Sequence, residues 1–359
     1  MPRQEIVTYS PPLYDTLLGS NGTLASRPNL RHRPFVDHYY GSSEFCNLYL
    51  AVDGNGSLLG TIGVERMPFE VAGKTRRFGF GSNFNAFQPG AGGYLFFHWM
   101  GTVKCDGGVA FGGTKDTHRI LERSGWSYFD GIKTYYLNRT YQKEEASGSL
   151  EKLARKLMDA ISTKQQLDKL TSKLPESVWQ AISVSEETSF RKELLDFKSA
   201  FPFRFAPDLQ YLSWRYGPGL SFVKYRLFRV NHGDKVVGYF VLQESASRII
   251  VSHSDGASPG LLAAGIVRGI SQLSTGPSDC REVLFVSSNP EMQRVFEVVG
   301  FYNHPLWDRR FALGKLRGGI DIAPPTTEWL VNFDWGDNGL RAPFPGQNIN
   351  GATSDAFLS

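Results

Sequence analysis

Short runs of apolar and β-branched residues, punctuated by Gly, Asn and Asp, dominate the first part of the chain. Leu48 to Asp53 predicts a strand, Gly54-Asn55-Gly56 a turn and Ser57 to Glu65 a second strand, so the three read as a hairpin. A further extended run rich in Phe and Gly, Arg76 to Phe87, ends in a Gly-rich turn at Gln88 to Gly93, which leads into the apolar segment Tyr94 to Val103. Then follow a short strand, Gly108 to Gly112, a helical segment, Thr114 to Ser124, a stop at Gly125-Trp126, and aromatic strand-like residues from Tyr128 to Leu137.

The same order returns later. Strand Tyr225 to Val230, turn Asn231 to Asp234, strand Lys235 to Glu244 and strand Arg248 to Ser254 precede helix Leu261 to Leu273. Strand Glu282 to Ser287, helix Pro290 to Val299 and Gly300-Phe301 complete it. Gly60 and Gly238 lie 178 positions apart, and Gly125 and Gly300 lie 175 apart. A nearly fixed offset predicts two copies of one module. Between them, residues 144–200 place Leu150, Leu153, Leu157 and Ile161 at helical spacing, which predicts a helical connector. The expected organisation is a first module at 1–143, the connector at 144–200, a second module at 201–335 and a tail at 336–359 without core-forming periodicity.

Composition agrees and removes some function classes. At about 150 residues per domain, 359 residues predict roughly two domains. With 38 Gly and 13% aromatic residues, a mixed α/β fold is favoured over a helical bundle. A formal charge of +4, scattered along the chain, is too small to mark a nucleic-acid or membrane-surface binder. No window approaches the roughly 18 uncharged apolar residues of a spanning helix, and the first residues do not read as a signal peptide, so the sequence predicts a soluble, cytoplasmic protein. Cys46, Cys105 and Cys280 are widely spaced, which predicts neither a disulfide framework nor a metal site.

Two stretches carry a resemblance. Gln88-Pro89-Gly90-Ala91-Gly92-Gly93 resembles the Q/R-x-x-G-x-G/A turn of the GNAT superfamily of acyl-CoA N-acyltransferases, with Ala91 in place of the first Gly. The Asn-x(10)-Gly-Phe helix of that family is resembled by Asn289 to Gly300-Phe301 and, degenerately, by Thr114 to Gly125-Trp126. The physics of the turn is independent of the name: small residues let backbone approach an anion, and the following helix begins with unpaired N–H groups and a positive dipole end. A diphosphate-bearing molecule suits such a turn. A P-loop would need Gly-Lys-Ser or Gly-Lys-Thr, which is absent, and a dinucleotide fold would not place a hairpin upstream. The matching turn of the second copy, Asp255-Gly256-Ala257-Ser258-Pro259-Gly260, has a proline that removes a donor, so the first module is the expected donor site.

The resemblance implies two tandem GNAT-like modules and acetyl-CoA or another acyl-CoA as donor. Phe84, Asn85, Ala86 and Phe87 would face the thioester, and Gln88, Gly90, Ala91, Gly92, Gly93, Tyr94 and Thr114 would hold the rest of the donor. The pantetheine would lie between this strand and Val109 to Gly112. The implied reaction is direct attack by a small amine, such as an amino sugar or amino acid. In many members of the family a tyrosine in the helix signature protonates the thiolate; Leu121 and Phe296 stand there instead.

For the general base, the candidates are Glu65, His98, His253 and Asp255. Each also has a structural reading: Glu65 beside Arg66 as a solvated strand-end charge, His98 as a packing residue among Phe96, Phe97 and Trp99, and His253 and Asp255 on one strand face as a cap or solvent-facing pair. Arg204, Asp208, Trp214 and Arg215 read as an amphipathic helix docked on the second sheet, with Trp214 packed and Arg215 exposed, or else as an acceptor surface. Two other functions stay open: a transferase similar to the Fem enzymes, using aminoacyl-tRNA, and a non-catalytic interaction protein built from decayed modules.

Overall fold

The computed structural model describes residues 4–19, 28–41, 44–137, 172, 174–274, 281–303, 309–314, 324–337 and 339–340. The connector leucines 150, 153 and 157, Ile161, Cys280 and the tail from 341 lie outside them. The first half runs β1 (Glu5–Thr8), α1 (Tyr14–Leu18), α2 (Arg33–Tyr40), β2 (Cys46–Val52), β3 (Leu58–Val71), β4 (Lys74–Ala86), α3 (Ala91–Thr102), β5 (Gly107–Phe111), α4 (Lys115–Arg123) and β6 (Ser127–Leu137). The second runs α5 (Glu176–Ala181), β7 (Ile182–Glu187), β8 (Phe203–Phe205), α6 (Leu209–Tyr216), β9 (Tyr225–His232), β10 (Lys235–Glu244), β11 (Arg248–Gly256), α7 (Pro259–Leu273), β12 (Glu282–Ser287), α8 (Pro290–Val298), β13 (Tyr302–Asn303), β14 (Arg309–Leu313) and β15 (Trp329–Leu330).

The two halves share one mixed sheet. Its order is β1-β2-β3-β4-β5-β14-β6-β12-β11-β10-β9-β7. β6 joins the halves: residues up to Ile132 pair with β14, and Lys133 to Leu137 pair with β12. β14, from late in the chain, lies between β5 and β6. Each half thus borrows a strand segment from the other.

The repeat is physical as well as sequential. Gly60 pairs with Ala86, and Gly238 pairs with Gly256. A Cβ on Gly60 would meet the Asn85 carbonyl at 2.6 Å and Leu95 of α3 at 2.9 Å, and one on Gly238 would meet the Asp255 carbonyl at 2.7 Å and Leu262 of α7 at 3.3 Å. The same bare spot therefore seats the same leucine in both halves. Gly125 and Gly300 adopt positive φ (72° and 93°) at the ends of α4 and α8, where the amides of Trp126 and Phe301 turn back to the carbonyls of Leu121 and Phe296.

On one face of the first half, Trp99 of α3 covers Gly79 and Gly81, and Trp126 covers Gly108. On the other face, the segment 329–335 clusters with Phe69, Phe78, Phe80, Phe111 and Phe311, while α2 covers Cys46, Leu48 and Leu50 of β2. Fully burying each such ring contributes about 1.5–3 kcal/mol. Leu121 and Phe296 are core residues, the latter stacked on Phe285 at 4.0 Å. The described residues hold no helix long and apolar enough to cross a membrane.

Candidate functional site

β4 and β5 run parallel and pair at three positions, ending at Phe80 with Val109. β4 continues to Ala86 and β5 to Phe111, so a gap opens between them. Just beyond Phe80, β4 carries a bulge: Ser82 pairs with Gly63 but Asn85 with Thr61, leaving an extra residue between. Asn83 accommodates it at φ 45°, a conformation asparagine tolerates better than most residues. The Asn85 amide locks the bulge by donating to Thr61 Oγ1 (2.9 Å) and the Asn83 carbonyl (2.8 Å).

The chain then enters α3 at Gly90, the N-cap, with φ 89° and no side-chain cap bond. The Ala91 amide bonds the Gln88 carbonyl and the Tyr94 amide the Gly90 carbonyl, while those of Gly90, Gly92 and Gly93 have no partner among the described residues. The space above Gly90 and Gly93 is open, and Gly92 has only Ala86 and Phe84 within reach of an added Cβ. Bare amides, a positive helix end and no competing side chain form a cradle for an anion. The amides of Phe87 and Gln88 are already engaged by the Leu59 carbonyl. Thr114 caps α4 by accepting from the Thr117 amide, and Tyr94 is partly exposed, its hydroxyl donating to the Gln4 carbonyl.

The corresponding turn in the second half is closed. Ser258 caps the Leu261 amide, Pro259 removes a donor, and a Cβ on Gly260 would meet Glu291 Oε1 at 2.5 Å. Beyond the last β11–β12 pair, Ile250 with Leu284, Asn332 bonds the Ser254 amide (2.9 Å) and carbonyl (3.2 Å).

A buried polar network lies beside the β4 bulge. Tyr40 receives a bond from Asn83 Nδ2 (2.7 Å) and shares a hydrogen with Ser82 Oγ (3.2 Å), and Asn83 Nδ2 also reaches Asp337 Oδ2 (2.7 Å). Burial holds the Tyr40 hydroxyl well above its usual pKa, so it stays protonated. Deeper in, the Tyr39 hydroxyl donates to Glu65 Oε2, and Glu65 Oε1 has no partner among the described residues. Glu65 is fully buried, which corrects the solvated strand-end reading. Burial pushes its pKa up to about 7, with Arg215 pulling the other way.

Arg215 is also fully buried rather than exposed. It donates to Tyr225 (2.7 Å), the Gly336 carbonyl (2.9 Å) and Asp334 (3.3 Å), and lies over the rings of Tyr39 and Tyr216. In the helix, Asp208 caps α6 through the Tyr211 amide and Trp214 packs against Tyr39, Phe45 and Tyr211 as expected, but Arg204 lies outside it on β8, ion-paired with Glu70 (2.8 Å) and Asp255.

The other base candidates lie in different surroundings. His98 packs against Tyr49 at 4.6 Å on α3. His253 stacks on Tyr216, bonds Tyr239 at 2.9 Å, and is driven down to about 3 by burial, helped by Arg215. Asp255 is bound by Ser199 (2.6 Å), Arg204 (2.9 Å) and the Gly256 amide (2.8 Å), a structural anchor rather than a free carboxylate. Glu65 alone among the four is both near the bulge and incompletely bonded.

The fold built this way is that of the GCN5-related N-acetyltransferases, and its pattern of elements occurs twice in the chain. Similar solved structures include a probable N-acyltransferase from Enterococcus faecalis (TM-score 0.51, 7% identity, 87% of this chain and 72% of that one). A GCN5-related N-acetyltransferase from Kribbella flavida gives 0.51 at 11% identity, covering 87% and 71%. The N-myristoyltransferase of Saccharomyces cerevisiae, solved with myristoyl-CoA, gives 0.52 at 9% identity, covering 89% and 85%. No family model and no curated protein matches the sequence.

Proposed function

We propose that the chain is an acyl-CoA-dependent N-acyltransferase, organised as a donor-binding module at 1–143, a connector at 144–200, a second module at 201–335 and a tail. The connector is not wholly helical, since its β7 pairs with β9 as the edge strand of the second half's sheet. The observation that carries this reading is the uncapped start of α3, with three amides that have no partner among the described residues, beside the gap between β4 and β5. The closed turn of the second half supports one donor site per chain. Acyl-CoA supplies an activated thioester: an amine nitrogen bonds its carbonyl carbon, the C–S bond breaks and CoA leaves as the thiol. The amides of Gly90, Gly92 and Gly93 hold the diphosphate.

Glu65 takes the proton that the amine gives up, its raised pKa matching it to neutral pH. Tyr40, protonated and aimed at the bulge, replaces the proton donor absent at Leu121 and Phe296. Half-buried Asn83 and Asp337 form the mouth through which a small amine, such as an amino sugar or amino acid, reaches them. The transferred group is acetyl. Calorimetry with acetyl-CoA tests the reading: micromolar binding, abolished by Gly92→Trp, is expected, because an indole there lies against Ala86 and fills the cradle. Absence of binding by every CoA thioester refutes it.

A further inference from the structure

The far side of the gap between β4 and β5 is filled by the chain itself. The cradle at the start of α3 lies on the face where Trp99 and Trp126 cover Gly79, Gly81 and Gly108. A group passing through the gap emerges on the opposite face, between Phe80 and Phe111, the residues of β4 and β5 that flank it there. Trp335, fully buried, packs at that exit against Phe111 (ring centroids 6.0 Å), Phe311 (5.1 Å) and Phe69 (5.2 Å). Gly336, at φ 63°, presses its backbone against the Phe80 ring so closely that a Cβ would lie 2.0 Å from it.

This segment is tied at several points. The Asp334 amide donates to the Ser252 carbonyl (3.0 Å), Arg215 holds the Gly336 carbonyl (2.9 Å), and Asn83 at the bulge holds Asp337 (2.7 Å). Arg215 is itself buried and ion-paired with Asp334, so these ties do not yield easily to an incoming chain. Aromatic rings packed at core density resist each methylene pushed in among them.

We propose that Trp335, with Gly336 behind Phe80, is the residue that sets acyl-chain length, restricting the donor to short acyl groups. The proposal rests on the acyl-CoA reading above. A site built to take long chains would gain affinity with each added methylene; this one loses it.

The test is calorimetry on the full chain with CoA, acetyl-CoA, butanoyl-CoA and octanoyl-CoA. CoA and acetyl-CoA are expected to bind within a few-fold of each other and octanoyl-CoA at least ten-fold more weakly. Trp335→Ala is expected to bring octanoyl-CoA within about three-fold of acetyl-CoA without changing the acetyl-CoA affinity. Should that variant not fold, as a melting curve would reveal, Phe111→Ala removes a ring from the same wall and is expected to shift the same ratio. Octanoyl-CoA binding to the wild type as tightly as acetyl-CoA overturns the proposal while leaving the donor site intact. Failure of CoA and all its thioesters to bind overturns the donor reading and the length filter together.

Discussion

Glu65 occupies a position where a carboxylate is costly: it is buried, one oxygen meets Tyr39, and the other has no partner among the described residues. A general base poised near neutrality is a use for that cost. With acetyl-CoA and a productive amine, followed as thiol release, the rate is expected to rise with pH through about 7 as Glu65 ionises. Glu65→Gln should lower kcat by about 10²- to 10⁴-fold, flatten that limb and leave acetyl-CoA affinity unchanged. An unaltered pH profile in the variant assigns the base elsewhere. His253 makes a different prediction. Its ring is held neutral down to about 3 in the folded protein, whereas the unfolded ring takes a proton near 6.5. The unfolded state therefore binds more protons below pH 6.5, and folding stability falls as pH drops from there towards 3, by up to about 1.4 kcal/mol per pH unit from this group. Urea titrations at pH 7.5 and pH 5 measure it, and His253→Gln is expected to lose less stability between the two.

At the scale of elements, much of the fold was legible in the chain. Lys235–Glu244 and Glu282–Ser287 have the predicted bounds, because a short continuous apolar run between polar or turn residues marks a strand buried on both faces, and both strands are. The glycine-rich turn was legible from its Gly and Pro, but it ends at Gly90, the N-cap, and Ala91, Gly92 and Gly93 already form the first turn of α3. The polar network was not. Tyr40 lies 43 residues from its partner Asn83, and Asn83 lies 254 from Asp337, so no spacing rule brings them together. Arg215 read as exposed because its role depends on Asp334 and the Gly336 carbonyl, which lie in a stretch without periodicity. Trp335 was placed at the very end of the second module, yet its ring fills the first. The bulge was hidden too, since its signal is a single Asn at positive φ.

At the scale of the molecule, the repeat is a pair of equivalent halves that do not close separately. β6 leaves its lower half with β14 and gives its upper half to β12, and the strand between β5 and β6 arrives from residues 309–313. A fragment ending at residue 143 would expose the edge of β5 and the ring of Phe111 and strip β6 of β14, β12 and β13, the strands it pairs with. Expressed alone, it is expected to be aggregated or molten by circular dichroism and gel filtration, and a sharp cooperative melt from that fragment would contradict the shared sheet. The inserted β14 also bears on how the protein is born. A ribosome adding about 5–20 residues per second leaves the early half without its last strand for roughly ten to thirty seconds after Leu137 has emerged. Through that interval the nascent chain presents a sticky, half-paired edge, so cellular yield should depend on chaperone supply more than the finished molecule's own stability would indicate.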